Sequence, residues 1–337
     1  MNKVVLILIL FLLPINSYGQ NNHVRVRILE RYHPKEVFIS YPESIFEEIK
    51  VNLKSKLPVT FNTPSIYTLK IPEINFKRQY FGTIAVYRNE KNELTFVNKV
   101  PLEKYVISVV LSELGYKEAE AMCAQSVISR TWALSHIRPE KKWDFNDLTI
   151  SQVYKGITDY DEKALNRISQ TFGKVLTFDN RFAEIFFHAK CSENIYSAYE
   201  VWGKDIKYLR NKRSNIKDPY IWKTMIERKK LGKIFSVQKS NYILSKKNGR
   251  LYILAGKSMY PIDRFRLMVN RELGWRTLKS IDFKIKAEGD FIYFTGKGHG
   301  HLVGFCQEGA VAMAKNGLSY QDILNYYFPG CAIEDVP

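Results

Sequence analysis

A glutamate within an apolar stripe is the first residue of this sequence whose type and position suit chemistry. The stretch 100–134 reads VPLEKYVISVVLSELGYKEAEAMCAQSVISRTWAL and begins with helical spacing. On a helical wheel Glu113 falls in the middle of an apolar arc. That arc is formed by Leu102, Tyr105, Val106 and Val109. If the helix ends at Gly115, burial and the negative end of the helix dipole both raise the pKa of Glu113, as a general acid requires. The alternative is a helix-end glutamate that reaches solvent or pairs with a basic side chain.

An arginine occupies a similar position on the next predicted helix. If that helix begins at Ala119, Arg130 points into a face of small and apolar side chains. A guanidinium there needs an acceptor, because burying an unpaired charge is costly. Two interpretations stay open, a structural salt bridge and a cation beside a substrate. Glu113 is a candidate partner, although a tight pair would lower the pKa of Glu113 and weaken an acid role.

Histidines and cysteines supply the candidate metal ligands. The spacings H-x-x-C and H-x-H are compatible with a zinc site built from His188, Cys191, His299, His301 and Cys306. The alternative is that these residues belong to a cleft or loop that binds no metal. The sequence has four cysteines, Cys123, Cys191, Cys306 and Cys331, which allow two disulfides in three connectivities. Free thiols are equally consistent with the sequence.

The elements around these residues predict an α+β fold. Alternating patterns predict strands at 24–30, 66–71 and 81–89, the last paired with 93–100. Two helices follow within 102–135, and hairpins are predicted at 174–190, turning at Asp179-Asn180, and at 280–296, turning near Glu288-Gly289. Two short C-terminal helices are separated by Gly317, the first starting near Gln307 and the second capped by Ser319 with Asp322. The fold is therefore antiparallel hairpins with a central pair of helices carrying the site and two short C-terminal helices.

The N-terminus predicts export. Residues 1–19 contain one lysine, an apolar run at 4–13 and the small-x-small sequence Ser17-Tyr18-Gly19. This order is typical of a cleaved signal peptide, because the run is too short for a stable membrane anchor. No later segment approaches eighteen consecutive apolar residues. We therefore expect no stable membrane span after cleavage, and a location in the periplasm, cell envelope or extracellular space.

All of the net positive charge lies in one segment. Residues 204–286 contain 23 Lys and Arg against 6 Asp and Glu, while the rest of the chain has 28 of each. Such a segment favours anionic partners, including acidic wall polymers. Its lysines alternate with strand-like patterns, so we favour a solvated basic face of a folded region. Nucleic acid is not expected as a partner, because export removes it.

Four stretches together resemble the stage II sporulation protein D (SpoIID) and amidase-enhancer LytB family. The stretch 100–134 resembles the family pattern PLE-x-Y-[VL] followed by A-Q-[AS]-x-x-x-R-T. Residues 151–156, SQVYKG, resemble its Q-x-Y-x-G element, and residues 185–211 its F-H-S-x-x-G-G and V-W-G segment. Residues 296–330 are similar to its glycine-histidine terminal motif.

This resemblance predicts the domain organisation. The predicted parts are a signal peptide at 1–19, an N-terminal β-rich region at 20–79 and a SpoIID/LytB-like domain at 80–334. The basic segment at 204–286 lies within that last domain.

The resemblance implies an enzyme that acts on peptidoglycan glycan strands. Members of the sporulation branch are lytic transglycosylases that cleave the β-1,4 bond between N-acetylmuramic acid and N-acetylglucosamine and leave 1,6-anhydromuramoyl ends. Their catalytic glutamate corresponds to Glu113. With no metal and no other cofactor implied, the residues assigned to substrate binding are Gln125, Arg130, Gln152, His188, Ser192, His301 and Gln307.

Two departures from the family pattern keep other functions open. Ser192-Glu193 replaces the paired glycines after F-H-S, and Cys123 stands where a lysine often precedes A-Q. The alternatives are a non-catalytic enhancer of a cell-wall N-acetylmuramoyl-L-alanine amidase and a module that binds wall polymer. We favour the enzyme, because enhancement alone gives no reason to place a carboxylate in an apolar stripe.

We expect protein recovered outside the cytoplasm to have a mature N-terminus close to Gln20. N-terminal sequencing or intact-mass measurement of the protein from the cell envelope checks this. Recovery with Met1 still attached would contradict the predicted cleavage.

Overall fold

The structure is a computed structural model that describes residues 23–41, 48–158, 161–237 and 241–336. The predicted signal peptide lies outside the described residues. Within the described residues, no helix has the length and apolar character needed to cross a membrane. The α+β class is confirmed, since antiparallel strands and eight α-helices alternate along the described chain.

A seven-stranded sheet forms the N-terminal half. Its strands lie in the order β3-β2-β4-β5-β6-β1-β7, antiparallel except for the β1/β7 pair. They are β1 (His23–Ile28), β2 (Glu36–Ser40), β3 (Ile49–Asn52), β4 (Val59–Ile71), β5 (Phe76–Arg88), β6 (Leu94–Pro101) and β7 (Phe145–Asn146). The predicted pairing of 81–89 with 93–100 is confirmed by the β5/β6 ladder. The boundary proposed between residues 79 and 80 falls inside β5, so the sequences on both sides of it share one sheet.

Three helices follow this sheet, α1 (Leu102–Glu113), α2 (Ala119–Ser135) and α3 (Asp161–Ile168). The predicted interruption is confirmed: Gly115 has a φ of 80°, a left-handed conformation that glycine adopts at low cost. Helix α1 packs against β1 and β6, while α2 contacts α1 and α3. Because neighbours surround α2 on most sides, 13 of its 17 residues are buried.

An ion pair between a buried arginine and a half-buried glutamate joins the two central helices. Arg130 on α2 has no exposed side-chain surface, and its Nε and Nη2 atoms donate to the two carboxylate oxygens of Glu103 on α1 at 2.7 and 2.6 Å. Arg130 Nη1 also donates to the carbonyl of Lys174 at 2.8 Å. The prediction of Glu113 as a candidate partner of Arg130 was wrong. The partner is Glu103, which lies in the first turn of α1. Of the two interpretations, the structure therefore shows the salt bridge.

The chain then forms short strands around these helices. They are β8 (Lys174–Phe178), β9 (Arg181–Phe182), β10 (Phe187–His188), β11 (Asn194–Ile195) and β12 (Lys212–Arg213), with α4 (Ala198–Trp202) between the last two. The predicted turn is confirmed, with φ of 50° at Asp179 and 57° at Asn180. The predicted long hairpin over 174–190 is only partly right. Its return strand ends at Phe182, because Phe187 and His188 pair in parallel with Phe305 and Cys306 instead.

The basic segment folds into two small sheets and two helices. Its elements are β13 (Ile221–Glu227), α5 (Arg228–Phe235), β14 (Tyr242–Lys247), β15 (Arg250–Ala255), β16 (Ser258–Pro261), α6 (Ile262–Leu273), β17 (Asp282–Glu288) and β18 (Phe291–Lys297). The sheet orders are β13-β18-β17 and β14-β15-β16, and the predicted hairpin turning at Gly289 is confirmed. Phe235 and Phe265 stack at 4.6 Å within its aromatic core. This segment is therefore a folded unit with lysines on its outer surface.

The C-terminal elements return to the central helices. They are β19 (Phe305–Cys306), α7 (Gln307–Lys315), α8 (Tyr320–Tyr327) and β20 (Ala332–Asp335). The predicted capping box is confirmed, because Ser319 Oγ accepts from the Asp322 amide and the Asp322 carboxylate accepts from the Ser319 amide. Helices α7 and α8 pack on α2, and β20 pairs with β8.

We expect Glu103→Gln to lower the free energy of unfolding by about 3 kcal/mol, because it leaves the buried Arg130 guanidinium without a counter-charge. Chemical denaturation monitored by circular dichroism measures the change. The matched control is Glu288→Gln, which breaks the exposed Lys286–Glu288 pair and should cost less than about 1 kcal/mol. Equal losses in both variants would show that the buried pair has no special weight.

Candidate active site

Glu113 is the last residue of α1, and the loop that contains the Q-x-Y element covers it. The backbone N–H of Val153 donates to Glu113 Oε1 at 2.7 Å. The N–H of Lys155 donates to Ser108 Oγ at 3.2 Å, one turn earlier on the same helix. The loop is thus attached to the end of α1, and the carboxyl is half-buried beneath it.

The pKa of Glu113 is raised, although its surroundings include groups that raise the pKa and groups that lower it. Burial is the largest influence and raises the pKa. The hydrogen bond from Val153, the Gln307 side chain and the positive charge of Lys155 each lower it by a smaller amount. No carboxylate in the described part of the chain is among the groups that shift it. Glu113 is therefore a lone carboxyl whose neutral form is favoured by burial.

Gln152 lies next to this carboxyl but is fully buried. Its Oε1 accepts from Tyr105 Oη at 3.0 Å, while its Nε2 has no hydrogen-bond partner among the described residues. The pKa of Tyr105 is raised by burial and also by the charge of Glu113, so the phenol stays protonated. Tyr105 and Gln152 therefore hold the covering loop against α1.

Gln307, from a distant part of the sequence, also contacts Glu113. It is the first residue of α7, its side chain is buried, and its contact with the carboxyl favours the charged form. Its Nε2 makes no hydrogen bond of standard geometry. The contact is therefore weaker than a full hydrogen bond. The Gln307 Nε2 group near Glu113 can still donate to another acceptor.

A disulfide fixes the start of α7. Cys191 and Cys306 are bonded, with Cα atoms 5.9 Å apart and a separation of 115 positions in sequence. Cys123 is a buried free thiol and Cys331 a half-buried one. The structure thus selects one disulfide from the pairings that the sequence left open. Because Cys306 directly precedes Gln307, the disulfide also limits the movement of a residue that contacts Glu113.

Three of the five candidate zinc ligands come together in space. Ligand atoms of His188, Cys191 and Cys306 lie within 4.8 Å of one another. The two sulfurs are joined, however, so neither is a thiolate that can bind a metal ion in this structure. His299 and His301 are not members of this group.

His188 and His301 form an aromatic group beside the disulfide. Their ring centroids are 5.9 Å apart, and Trp202 lies 5.0 Å from His301. The pKa of His188 is lowered by burial and by its histidine neighbours, and burial also lowers the pKa of His301. Both rings are therefore neutral near pH 7. His188 Nε2 has no partner among the described residues, so it is an unused polar atom close to Cys306.

The other predicted binding residues have structural contacts. Ser192 is buried, and its Oγ donates to the carbonyl of Asn194 at 2.7 Å. Gln125 is buried on α2 and donates to Ser129 Oγ at 3.1 Å. Arg130 forms the ion pair with Glu103. The structure thus brings Gln307 to Glu113 and Gln152 to Tyr105 in the loop that covers Glu113. It places His188 beside His301 and directs Gln125, Arg130 and Ser192 into the fold.

Two groups near Glu113 escaped the sequence reasoning, the amide of Val153 and the side chain of Lys155. Both belong to the stretch SQVYKG, which the resemblance had already marked. The available signal was its polar, non-periodic character after a buried helix, which is typical of a loop that covers a site. Nothing in the sequence shows which of its atoms faces the carboxyl.

Comparison with known proteins identifies relatives of this chain. A family model described as SpoIID, stage II sporulation protein, matches residues 90–178. Stage II sporulation protein D of Bacillus amyloliquefaciens is 31% identical over 282 residues, covering 75% of this chain and 79% of that protein. Its Bacillus subtilis counterpart is 30% identical over 288 residues, with the same coverage. The amidase enhancer of Bacillus subtilis is 23% identical over 272 residues, which cover 64% of this chain and 38% of that protein.

The structure combines helices with antiparallel sheets, and a lone glutamate lies where α1 meets the Q-x-Y loop. The chain belongs to the SpoIID family of stage II sporulation proteins. Glu113 lies within the matched residues 90–178, whereas Gln307 and the disulfide partner Cys306 lie outside them.

We expect a titration of the Glu113 carboxyl, followed by ¹³C NMR, to give a pKa above the ordinary 4.5. Lys155→Met should raise this pKa further, because it removes a positive charge that favours the ionised form. The control Lys257→Met removes an exposed lysine from the basic segment and should leave the titration unchanged. A wild-type pKa at or below 4.5 would contradict the assigned burial.

The same shift has a consequence for stability. A carboxyl whose folded pKa is raised keeps its proton in the folded state after the unfolded chain has lost its own, so stability falls as the pH rises from the unfolded pKa through the folded one. We therefore expect Glu113→Gln, which cannot ionise, to be at least as stable as the wild type at pH 7. Thermal unfolding of both proteins across that range measures the difference.

Proposed function

We propose that this protein is a lytic transglycosylase that cleaves peptidoglycan glycan strands, with Glu113 as its general acid and base. The observation that carries the proposal is the lone, half-buried carboxyl whose pKa burial raises. The family resemblance implies peptidoglycan as the substrate. Similarity to a sporulation protein and to an amidase enhancer supports a role at the cell wall.

A single carboxyl suffices for this reaction. An ordinary glycosidase uses two carboxyl groups, one as acid and one as base or nucleophile. In the transglycosylase reaction, protonated Glu113 gives its proton to the glycosidic oxygen as the bond from C1 to that oxygen breaks. The resulting carboxylate then takes the proton of the C6 hydroxyl while O6 bonds to C1 and closes the 1,6-anhydro ring. The substrate itself supplies the nucleophile at high effective concentration.

The contacts of Glu113 suit both steps. A protonated carboxyl keeps one oxygen as an acceptor, and the Val153 amide occupies Oε1, so the transferable proton belongs on Oε2. After the transfer, the Val153 amide, the Gln307 side chain and the Lys155 charge all favour the carboxylate that must act as base. Burial favours the acid form and these donors favour the base form, so both forms are accessible during one turnover.

We propose that this reaction takes place outside the cytoplasm, where the glycan strands of the wall lie. The predicted signal peptide at 1–19 supports this location. The partner is then the glycan strand itself, and nucleic acid is not proposed as a ligand of the basic segment.

We expect Glu113→Gln to reduce the release of 1,6-anhydromuramoyl ends by about a hundredfold or more, because the amide cannot donate a proton. The purified mature chain is incubated with isolated glycan strands, and the product ends are identified by mass spectrometry. The control Glu140→Gln changes an exposed carboxylate distant in sequence from the site and should leave the rate unchanged. An unchanged rate in folded Glu113→Gln would remove this residue from the mechanism.

A second function, enhancement of a cell-wall amidase, is favoured by the relation to an amidase enhancer. In that case the wild type releases no anhydro ends, yet it stimulates an N-acetylmuramoyl-L-alanine amidase, and Glu113→Gln stimulates it equally. A third outcome, binding to wall polymer without either activity, would agree with a module that uses only the basic segment.

A further inference from the structure

The glycine-histidine turn at residues 298–300 joins three distant parts of the chain. The Gly298 amide donates to the carbonyl of Tyr220 at 2.7 Å, and the Gly300 amide donates to the carbonyl of Lys279 at 2.8 Å. His299 and Lys190 exchange backbone hydrogen bonds at 2.8 and 3.3 Å. Both glycines have positive φ, and a Cβ at Gly298 would lie 2.8 Å from the Ser192 nitrogen. The turn is therefore built to bring Lys190, Tyr220 and Lys279 together around His299.

The side chains of these residues place two ammonium groups on one aromatic ring. Lys190 Nζ lies 4.5 Å and Lys279 Nζ 5.1 Å from the ring centroid of Tyr220. Lys279 Nζ also donates to Tyr220 Oη at 2.7 Å. Glu308 faces Lys190 at 3.9 Å, the outer limit of an ion pair. Like charges brought together in this way repel each other unless an anion lies between them.

Further cations surround the histidine. Beside burial, the charges of Arg266, Lys279, Arg276 and Lys190 lower the pKa of His299. Arg266 is neutralised by Asp263 at 2.8 Å, but no carboxylate in the described part of the chain forms an ion pair with Lys279 or Arg276. The group therefore has more positive charge than its own acids balance.

We propose that Lys190, Tyr220, Lys279 and His299 form a binding site for a carboxylate group of the glycan strand. The two ammonium groups supply charged donors, and the Tyr220 ring holds them in place through cation–π contacts. The neutral imidazole adds a donor that needs no proton uptake. This inference rests on the proposed function only in naming the glycan strand as the ligand.

The site adjoins the candidate catalytic residue. Glu308, which faces Lys190, directly follows Gln307, and the Gln307 side chain contacts Glu113. The Glu308 amide also donates to the carbonyl of Ala189, next to Lys190. A strand that extends from Glu113 along the start of α7 would bring a carboxylate on a neighbouring sugar unit to the cations.

The test measures binding by isothermal titration calorimetry in the Glu113→Gln protein, which cannot cut its ligand. Three tetrasaccharides are compared. The first has alternating N-acetylglucosamine and N-acetylmuramic acid with free lactyl carboxylates, the second is chitotetraose, which lacks the lactyl groups, and the third carries stem peptides on the lactyl carboxyls. We expect a carboxylate-bearing ligand to bind roughly tenfold more tightly than chitotetraose, a preference that salt weakens.

Added substitutions separate this site from the general positive charge. Lys190→Met with Lys279→Met should abolish the preference over chitotetraose, while the charge-retaining pair Lys190→Arg with Lys279→Arg should keep most of it. The matched control is Lys223→Met with Lys284→Met, which removes the same charge from one cross-strand row on the β13-β18-β17 sheet. Circular dichroism verifies that each variant folds.

The outcomes distinguish the source of the carboxylate and the failure of the proposal. Tight binding of the first ligand alone assigns the lactyl carboxylate, and tight binding of the third assigns the stem peptide. Equal binding of all three ligands, or an equal loss in the Lys223/Lys284 control, overturns the site. Because no turnover is needed, a failed transglycosylase assay leaves this result standing, and a failed site leaves the Glu113 assay standing.

Discussion

The ion pair between Glu103 and Arg130 is the contact on which the arrangement of the site depends. It joins α1 to α2 with two short hydrogen bonds and reaches the β8 backbone through the Lys174 carbonyl. Because it fixes the first turn of α1 against the centre of α2, it sets the direction in which the last turn projects. Glu113 stands at that last turn. A buried guanidinium with a single carboxylate partner thus helps to set the position of a second carboxyl at the other end of α1, without touching it.

The position of Glu113 is a balance between burial and a few donors. Full burial without donors would keep the carboxyl protonated throughout, and open solvent would keep it ionised near neutral pH. Here the covering loop supplies one backbone amide and one lysine charge, and α7 supplies one amide side chain. These three groups come from two separate parts of the chain, neither of which is the helix that carries Glu113. The disulfide ties the start of α7 to Cys191, and the β10/β19 pairing ties it to the strand that contains His188, so the position of Gln307 is coupled to the rest of the site.

The basic segment has two kinds of positive charge. Lys223, Lys284 and Lys286 lie on the exposed face of the β13-β18-β17 sheet and are solvated, as alternation along the strands predicts. Lys279 differs, because the glycine-histidine turn brings it together with Lys190, which lies outside that segment, at the ring of Tyr220. The charge of Arg276 also acts on this phenol. Net charge counted along the sequence therefore indicates only that the partner is anionic. The folded turn is what brings the positive charges of distant residues together.

The sequence by itself determined the elements whose signals are local. The period of β5 and β6, the left-handed glycine after α1, the Asp179-Asn180 turn and the capping box of α8 all depend on neighbours within a few residues, and each was predicted. The helix α6 and the strands β14 and β16 were missed, since their mixed polar faces are explained by a small aromatic core that forms only on folding. Tertiary structure alone decided that Arg130 pairs with Glu103 rather than Glu113, that Cys191 pairs with Cys306, and that Val153 and Gln307 meet at one carboxyl. The physical reason is that such contacts join residues tens to hundreds of positions apart, and their energies depend on distances that no local pattern encodes.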